Sequence, residues 1–136
     1  IDMDNNIIPK SLKIGNINSK RDWSCAEDFI KAFWKILNHD VPNDYILSSG
    51  ETHTIKEMID IAFNYVKLPL TWNINNNIFE TKAYHNDILM IEISKDYYRD
   101  NDDLRYFKGD NSETINKLNW DIETNFENLI KDMIGP

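Results

Sequence analysis

The 136-residue sequence contains one cysteine, Cys25, and only four glycines and four prolines. A single cysteine cannot form an internal disulfide bond, which suits a reducing compartment, and we expect a cytoplasmic protein. No glycine-rich turn joins a strand-like segment to a helix-like one, so the fingerprints of dinucleotide-binding and P-loop folds are absent. No apolar run is long enough to span a bilayer and no signal peptide is recognisable, so we expect no membrane partner.

Positive charge is also scarce, because 15 lysines and arginines stand against 23 acidic residues, giving a net charge of −8. Binding to a nucleic-acid backbone requires a dense cationic surface, so this balance argues against nucleic acid as a partner. One or two arginines can still hold a small anion such as a diphosphate. The three histidines are isolated in the sequence, without partners at metal-ligand spacing, so we predict no metal site.

Apolar residues recur at helical spacing in four segments, each with a buried stripe expected. The predicted helices cover residues 24–38, 54–66, 110–120 and the segment from Thr124 onward. Capping boxes are expected at Ser24 with Glu27, at Thr54 with Glu57 and at Thr124 with Glu127, and the third helix is expected to be capped by Asp110 or Ser112.

Short strands are predicted at Leu12–Ile14, 45–47, 70–72 and Ile88–Ile93, and the Asn-rich segment 73–87 is predicted to be a surface loop. We therefore expect an α/β fold, a mixed small lobe of about four helices with short strands too scattered for a full sheet. The sequence begins at Ile1 rather than Met. Together these features predict that residues 1–136 form one domain of a larger enzyme.

Two arginines occupy positions suited to an anion. Arg21 lies in the loop that leads into the first predicted helix, where backbone N–H groups and a guanidinium both attract negative charge. Arg99 is followed closely by Asp102 and Asp103, and such a carboxylate can accept hydrogen bonds from sugar hydroxyls while the arginine holds a phosphate. The alternative is that each arginine only pairs with neighbouring carboxylates. For Cys25 we favour a structural thiol over a nucleophile, since no histidine lies near it in the sequence.

The order of five motifs resembles that of GDP-mannose 4,6-dehydratases in the extended short-chain dehydrogenase/reductase family. These motifs are KIGNINSKRDWSCAEDFIKAFWKIL, DYILSSGETHTIKEMIDIAF, ISKDYYR, KGD and NKLNW, and the resemblance covers residues 12–134. It implies a hydro-lyase that converts GDP-mannose into GDP-4-keto-6-deoxymannose with NADP, a reaction of GDP-fucose biosynthesis. A lone RDW would be weak support, because many nucleotide-sugar enzymes carry something similar.

The resemblance also implies what this chain does not contain. In the family, an N-terminal Rossmann lobe holds the NADP, a Thr, a Glu and a Tyr-x-x-x-Lys pair, and none of these catalytic residues is found here. The chain thus resembles the C-terminal substrate-binding part of the enzyme, with the Rossmann lobe as its partner. Alone it would be inactive, and the complete enzyme is expected to be a homo-oligomer, a dimer or tetramer.

The family's substrate-binding positions carry over onto five residues of this sequence. Arg21 and Arg99 match the two arginines on the nucleotide diphosphate, and Asn16 matches a loop asparagine near the nucleotide. An acid that faces the GDP ribose corresponds to Asp102 by direct spacing or to Asp103 by the KGD anchor, and we favour Asp103. No catalytic residue and no metal ligand is assigned.

Several positions depart from the family pattern, among them Ser24 and Cys25, which stand where Gly-His is usual. Trp23 is expected to pack the start of the first helix into the core rather than to stack on guanine. Two alternatives remain open at this point. The chain could serve another nucleotide-sugar dehydratase or epimerase, or it could be a stand-alone, non-catalytic binding module.

Overall fold

The computed structural model describes residues 10–99 and 107–135. Within these ranges the strands are β1 Leu12–Ile14, β2 Lys20–Arg21, β3 His53–Thr54, β4 Thr71–Asn73, β5 Lys82–His85 and β6 Ile88–Ile93. The helices are α1 Ala26–Leu37, α2 Ile55–Tyr65, α3 Ser112–Leu118 and α4 Phe126–Ile134, with a 3₁₀ turn at Ile78–Glu80. The predicted α/β class, with four helices and short strands, is confirmed.

The strands pair into a larger sheet than the sequence analysis predicted. Strands β1, β6, β5 and β4 form one four-stranded sheet in that order, and β2 pairs with β3 in a separate two-stranded ribbon. Strand β5 lies inside the segment expected to be a loop, and it pairs antiparallel with β6. The turn between them uses Asn86 and Asp87 at φ angles of 46° and 65°. Both φ angles are positive, as in a type I′ hairpin turn, and the sequence analysis missed this Asn-Asp signal.

Helix α2 packs on this sheet to form a first hydrophobic cluster. Its buried members are Ile59, Ala83, Met90 and Ile91. The predicted capping box of α2 is confirmed, because the Thr54 hydroxyl accepts from the Glu57 N–H at 3.1 Å and the Glu57 carboxylate accepts from the Thr54 N–H at 2.7 Å. This cap fixes the point where the β3 segment turns into the helix.

A second cluster joins α1 to the chain around α3, with Ala32, Leu118 and Trp120 as its buried members. One carboxylate locks this junction. Asp28 is 1% exposed and accepts hydrogen bonds from the backbone N–H groups of Glu123 at 3.2 Å and Thr124 at 3.0 Å. The Trp120 indole N–H also donates to the Asp28 carbonyl at 3.0 Å. The segment 120–124 is therefore hydrogen-bonded to the first turn of α1.

Helix α1 differs from its prediction in both its start and its stripe. Cys25 occupies the N-cap position without a side-chain cap, while the Ser24 hydroxyl donates to Asp22 at 3.4 Å instead, so the predicted Ser24–Glu27 capping box is wrong. Much of the apolar stripe lies in solvent, with exposures of 63% for Ile30, 53% for Phe33, 68% for Trp34 and 80% for Leu37. Packing within the described residues covers only the Ala32 side of the helix.

The strand predicted at residues 45–47 is not formed, and this segment takes no regular secondary structure. A strand requires a hydrogen-bonded neighbour, and no strand of the described ranges pairs with it. The Ile46 N–H donates instead to the Thr114 hydroxyl at 3.0 Å. No helix within the described ranges combines the length and apolar character that a bilayer span requires.

The last two helices begin one or two residues from their predicted caps. Asn111 occupies the α3 cap position, and its side chain accepts no hydrogen bond from the N–H groups of the first turn, although Asp110 accepts from the Ser112 N–H at 3.1 Å. For α4 the cap is Asn125, whose side chain accepts from the Asn128 N–H at 2.9 Å, rather than Thr124. Asparagine serves this position as well as threonine does, so two adjacent candidates could not be separated from the sequence.

Replacing Asp28 with Ala should destabilise the fold by about 2–3 kcal/mol, because two backbone N–H groups would lose their acceptor. Urea unfolding followed by circular dichroism measures the change, with Asp132→Ala as the control because Asp132 lies exposed on α4. Equal stability of the Asp28 and Asp132 variants would contradict the role given to the Asp28 carboxylate.

Candidate functional site

A cleft of about 490 Å³ opens where three segments distant in sequence come together. The approach to α1, the extended segment after α1 and the segment before α3 form its walls. The lining residues are Arg21, Asp22, Ser24, Phe29, Ile46, Leu47, Ser48, Phe107, Lys108 and Gly109. The cleft thus combines two cations, Arg21 and Lys108, and one carboxylate, Asp22, with an apolar wall. Because the Asp22 carboxylate accepts hydrogen bonds from the protein itself, the two cations remain to attract an anionic ligand carrying a less polar part.

Asp22 holds these walls together through its carboxylate. Its Oδ1 accepts from the Ser49 N–H at 2.8 Å and from the Ser49 hydroxyl at 2.6 Å, and its Oδ2 accepts from the Gly50 N–H at 3.2 Å and the Gly109 N–H at 3.3 Å. Partial burial raises the pKa of Asp22, but the hydrogen bonds from Ser49, Gly109 and Gly50 outweigh it, so the pKa lies below its ordinary value. Asp22 is therefore ionised at neutral pH.

Arg21 brings positive charge to the same wall. Its Nη1 donates to the Lys20 carbonyl at 2.7 Å, and its guanidinium lies 5.8 Å from the centre of the Phe107 ring. Arg21 is half-buried, and Lys108 next to Phe107 is exposed. A guanidinium partly withdrawn from water and backed by an aromatic ring can hold a phosphate more strongly than one in open solvent.

Ser48 and Gly109 make an unusually close contact at the floor of the cleft. A Cβ atom added to Gly109 would overlap the Cβ and Oγ atoms of Ser48. Ser48 is 6% exposed, and among the described residues its hydroxyl has no hydrogen-bond partner. Its carbonyl accepts from the Asn111 side-chain amide at 2.8 Å. Glycine at position 109 therefore allows the third wall to close onto the second.

Of the described residues that were predicted to bind the ligand, Arg21 alone lines the cleft. Asn16 is buried and its Oδ1 accepts from the Asn18 N–H at 2.9 Å, and Arg99 is exposed, but neither is among the lining residues. Asp102 and Asp103 lie outside the described residues.

Sequence reasoning missed much of the cleft lining. Lys108 and Gly109 were used only as part of the motif KGD, and Phe107 was given no role. Asp22 is one of the carboxylates near Arg21 that the alternative interpretation pairs with the arginine, whereas its carboxylate accepts from backbone N–H groups of two other segments. Within the described ranges, no cluster of three or more His, Cys, Asp or Glu side chains could hold a metal ion.

Trp23 packs as predicted. Its ring stacks on Phe126 with centroids 5.4 Å apart, and Phe126 stacks in turn on His53 at 3.9 Å. These aromatic contacts join the approach to α1, strand β3 and the start of α4. The Trp23 ring therefore contributes to the packing of the lobe.

Comparison with known proteins identifies the family of this fold. The family model described as GDP-mannose 4,6 dehydratase matches residues 5–133. The chain belongs to the GDP-mannose 4,6 dehydratase family. The family resemblance seen in the sequence motifs is thereby confirmed.

Curated relatives in the GDP-mannose 4,6 dehydratase family support this assignment. A GDP-mannose 4,6 dehydratase of Drosophila melanogaster is 32% identical over 123 residues, which are 90% of this chain and 31% of that protein. GDP-mannose 4,6 dehydratase 1 of Arabidopsis thaliana is 34% identical over 123 residues, 90% of this chain and 29% of that protein. The chain therefore spans about a third of the length of these relatives.

A solved structure supports the fold independently. The structure of RMD from Pseudomonas aeruginosa complexed with NADPH matches with a TM-score of 0.62 at 16% sequence identity. The match covers 88% of this chain and 32% of that chain. At this identity the likeness establishes the fold alone, and it agrees with the α/β class of the chain.

Replacing Gly109 with Ala should destabilise the lobe by about 1–3 kcal/mol, because the new Cβ would overlap the Ser48 side chain. Adding Ser48→Gly to that variant should restore part of the loss, since it removes both atoms that are overlapped. Thermal unfolding of both single variants and the double variant measures this coupling. A double variant no more stable than Gly109→Ala would contradict the proposed contact.

Proposed function

We propose that this chain is the substrate-binding part of a GDP-mannose 4,6-dehydratase, a hydro-lyase that converts GDP-mannose into GDP-4-keto-6-deoxymannose. The observation that carries the proposal is the position of Arg21 on the wall of a cleft of about 490 Å³, within a chain whose family match covers residues 5–133. The activity proposed for the whole enzyme belongs to cytoplasmic GDP-fucose biosynthesis, which suits a chain with one cysteine.

The proposed roles of individual residues follow the chemistry of the ligand. Arg21 binds the diphosphate of GDP-mannose, and Arg99 supplies a second cation to the same phosphates. Asp103, or Asp102 in its place, accepts hydrogen bonds from the ribose hydroxyls. Asn16 supports the loop that leads to Arg21, since its side chain is engaged with the Asn18 N–H. Two guanidiniums against a diphosphate give charge-assisted, bidentate recognition.

NADP belongs, in this proposal, to a companion Rossmann lobe. The residues of this chain do not fit the cofactor, because the four glycines, at positions 15, 50, 109 and 135, form no strand–turn–helix phosphate loop. The chain also has no Tyr-x-x-x-Lys pair. Its contribution to the reaction is therefore to bind and orient the nucleotide sugar, and no step through the cofactor is derived from this lobe.

The exposed face of α1 supports the docking of that companion lobe. Ile30, Phe33, Trp34 and Leu37 place four large apolar side chains in solvent along one side of the helix. Burying each of them contributes about 1.5–3 kcal/mol, which is substantial for a lobe interface. A stand-alone binding module would leave this apolar face in water.

The complete enzyme is proposed to act as a homo-oligomer, a dimer or tetramer. Another nucleotide-sugar dehydratase or epimerase is the rival proposal. Arg21 recognises a diphosphate that all such substrates share, so comparing turnover of GDP-mannose with that of dTDP-glucose separates the two.

Arg21→Ala in the enzyme that carries this chain should raise KM for GDP-mannose by about tenfold or more, because the diphosphate loses a charge-assisted hydrogen-bond donor. Bound NADP should be unchanged, and Lys13→Ala is the control, since Lys13 is an exposed cation on β1. Steady-state kinetics measures KM, and the absorbance of the released cofactor measures NADP. An unchanged KM would remove Arg21 from the proposed site.

Trp34→Ser should weaken association with the NADP-binding lobe by about tenfold, since a large apolar side chain would no longer be buried at the interface. Co-expression followed by size-exclusion chromatography measures the fraction of assembled enzyme. Glu27→Ser is the matched control, because Glu27 is exposed on the same helix and is not apolar. Full assembly of the Trp34 variant would show that this face docks nothing essential.

A further inference from the structure

We propose that Asp22 is a positioning residue that fixes the Arg21 side chain and the segment 107–109 around the cleft, so that affinity for a nucleoside diphosphate depends on Asp22 without direct contact. This inference rests on the proposed function, because it concerns how the same cleft holds its anion. It gives the Asp of the RDW motif a role different from that of its neighbouring Arg.

The first step is the complete use of the Asp22 carboxylate by the protein itself. Both oxygens accept hydrogen bonds, one from Ser49 and the Ser24 hydroxyl and the other from Gly50 and Gly109, at 2.6–3.4 Å. Of these five donors, three are backbone N–H groups and two are hydroxyls. A carboxylate engaged in this way is poorly placed to act as a base or to bind a ligand.

The second step is the connection from Asp22 to the Arg21 guanidinium. The Gly109 N–H that donates to Asp22 stands two residues after Phe107, and the Phe107 ring faces the guanidinium at 5.8 Å. Asp22 therefore holds both halves of this contact, Arg21 through the adjacent peptide bond and Phe107 through Gly109. The overlap that any Cβ at Gly109 would make with Ser48 leaves the segment little room to shift.

The third step concerns charge. Hydrogen bonds from Ser49, Gly109 and Gly50 stabilise the ionised form of the Asp22 carboxylate. A cationic side chain, Arg21, and an anionic side chain, Asp22, are therefore adjacent in the sequence. An asparagine at position 22 would have nearly the same volume but only one acceptor oxygen. Its NH₂ group would face backbone N–H donors, so the link to Gly109 or to Ser49 would be lost.

The test uses the intact enzyme that carries this chain, with GDP as the binding probe in calorimetry and GDP-mannose in steady-state kinetics. Asp22→Asn should weaken GDP binding about tenfold and raise KM by a similar factor, while kcat changes less than about threefold and bound NADP is retained. In an Arg21→Ala background the same substitution should weaken GDP binding by less than about threefold, because Asp22 acts through Arg21.

Two further variants keep the test decisive. Asp110→Asn is the matched control, because the Asp110 carboxylate accepts from the Ser112 N–H and neither residue lines the cleft, and it should leave GDP affinity unchanged. Phe107→Leu removes the ring without touching the Asp22 hydrogen bonds. It should weaken GDP binding in the parent enzyme and have little effect beside Arg21→Ala, even if Asp22→Asn does not fold.

The outcomes separate this inference from the proposed function. If Arg21→Ala weakens GDP binding while Asp22→Asn and Phe107→Leu bind as the parent does, the positioning role is overturned and the diphosphate site stands. If the loss of GDP-binding free energy in each double variant equals the sum of the losses in its two single variants, Asp22 has a purely structural role, which also overturns the inference. A parent enzyme that binds no GDP would overturn the proposed function itself.

Discussion

Hydrogen bonding of backbone N–H groups to the Asp22 carboxylate is the interaction on which the site depends. The donors at Ser49, Gly50 and Gly109 come from segments that lie 27, 28 and 87 residues away in the chain. Without a shared acceptor, these loops would have to satisfy their N–H groups separately. Local order at the cleft therefore depends on one partly buried carboxylate as well as on the apolar packing of Phe29 and Leu47.

The hydrophobic clusters explain why such a charged link is needed. One cluster unites α2 with the four-stranded sheet, and the other unites α1 with the chain around α3. The two are joined by polar and aromatic contacts at the approach to α1, where Trp23 stacks on Phe126 and Phe126 on His53. The cleft is lined by Phe29 and Leu47 of the second cluster and by no residue of the first, so directional contacts, rather than shared apolar burial alone, hold its charged wall in place.

The elements that were predicted well are those whose signals are local. The Thr54–Glu57 capping box and the strand Ile88–Ile93 depend on residues close in sequence, and the structure confirms both. The strand predicted at residues 45–47 and the buried stripe predicted for α1 were wrong. Whether such residues pair or are buried depends on the segments that pack against them, and hydrophobic periodicity contains no information about those segments. In the cleft, Arg21 was found from its place before a helix, but the Asp22–Gly109 contact spans 87 residues and leaves no local pattern.

The net charge of the chain bears on which anions the proposed site could bind. With a net charge of −8, most of the surface repels anions, so a cation inside a cleft would attract a small anion where a polyanion would meet the surrounding acidic surface. Asp22 does not cancel this attraction, because its own charge is spread over donors from two loops. Under the two proposals, the same carboxylate that adds to the acidity of the chain helps to maintain the position of Arg21, which would reconcile a strongly acidic lobe with the proposed binding of a diphosphate.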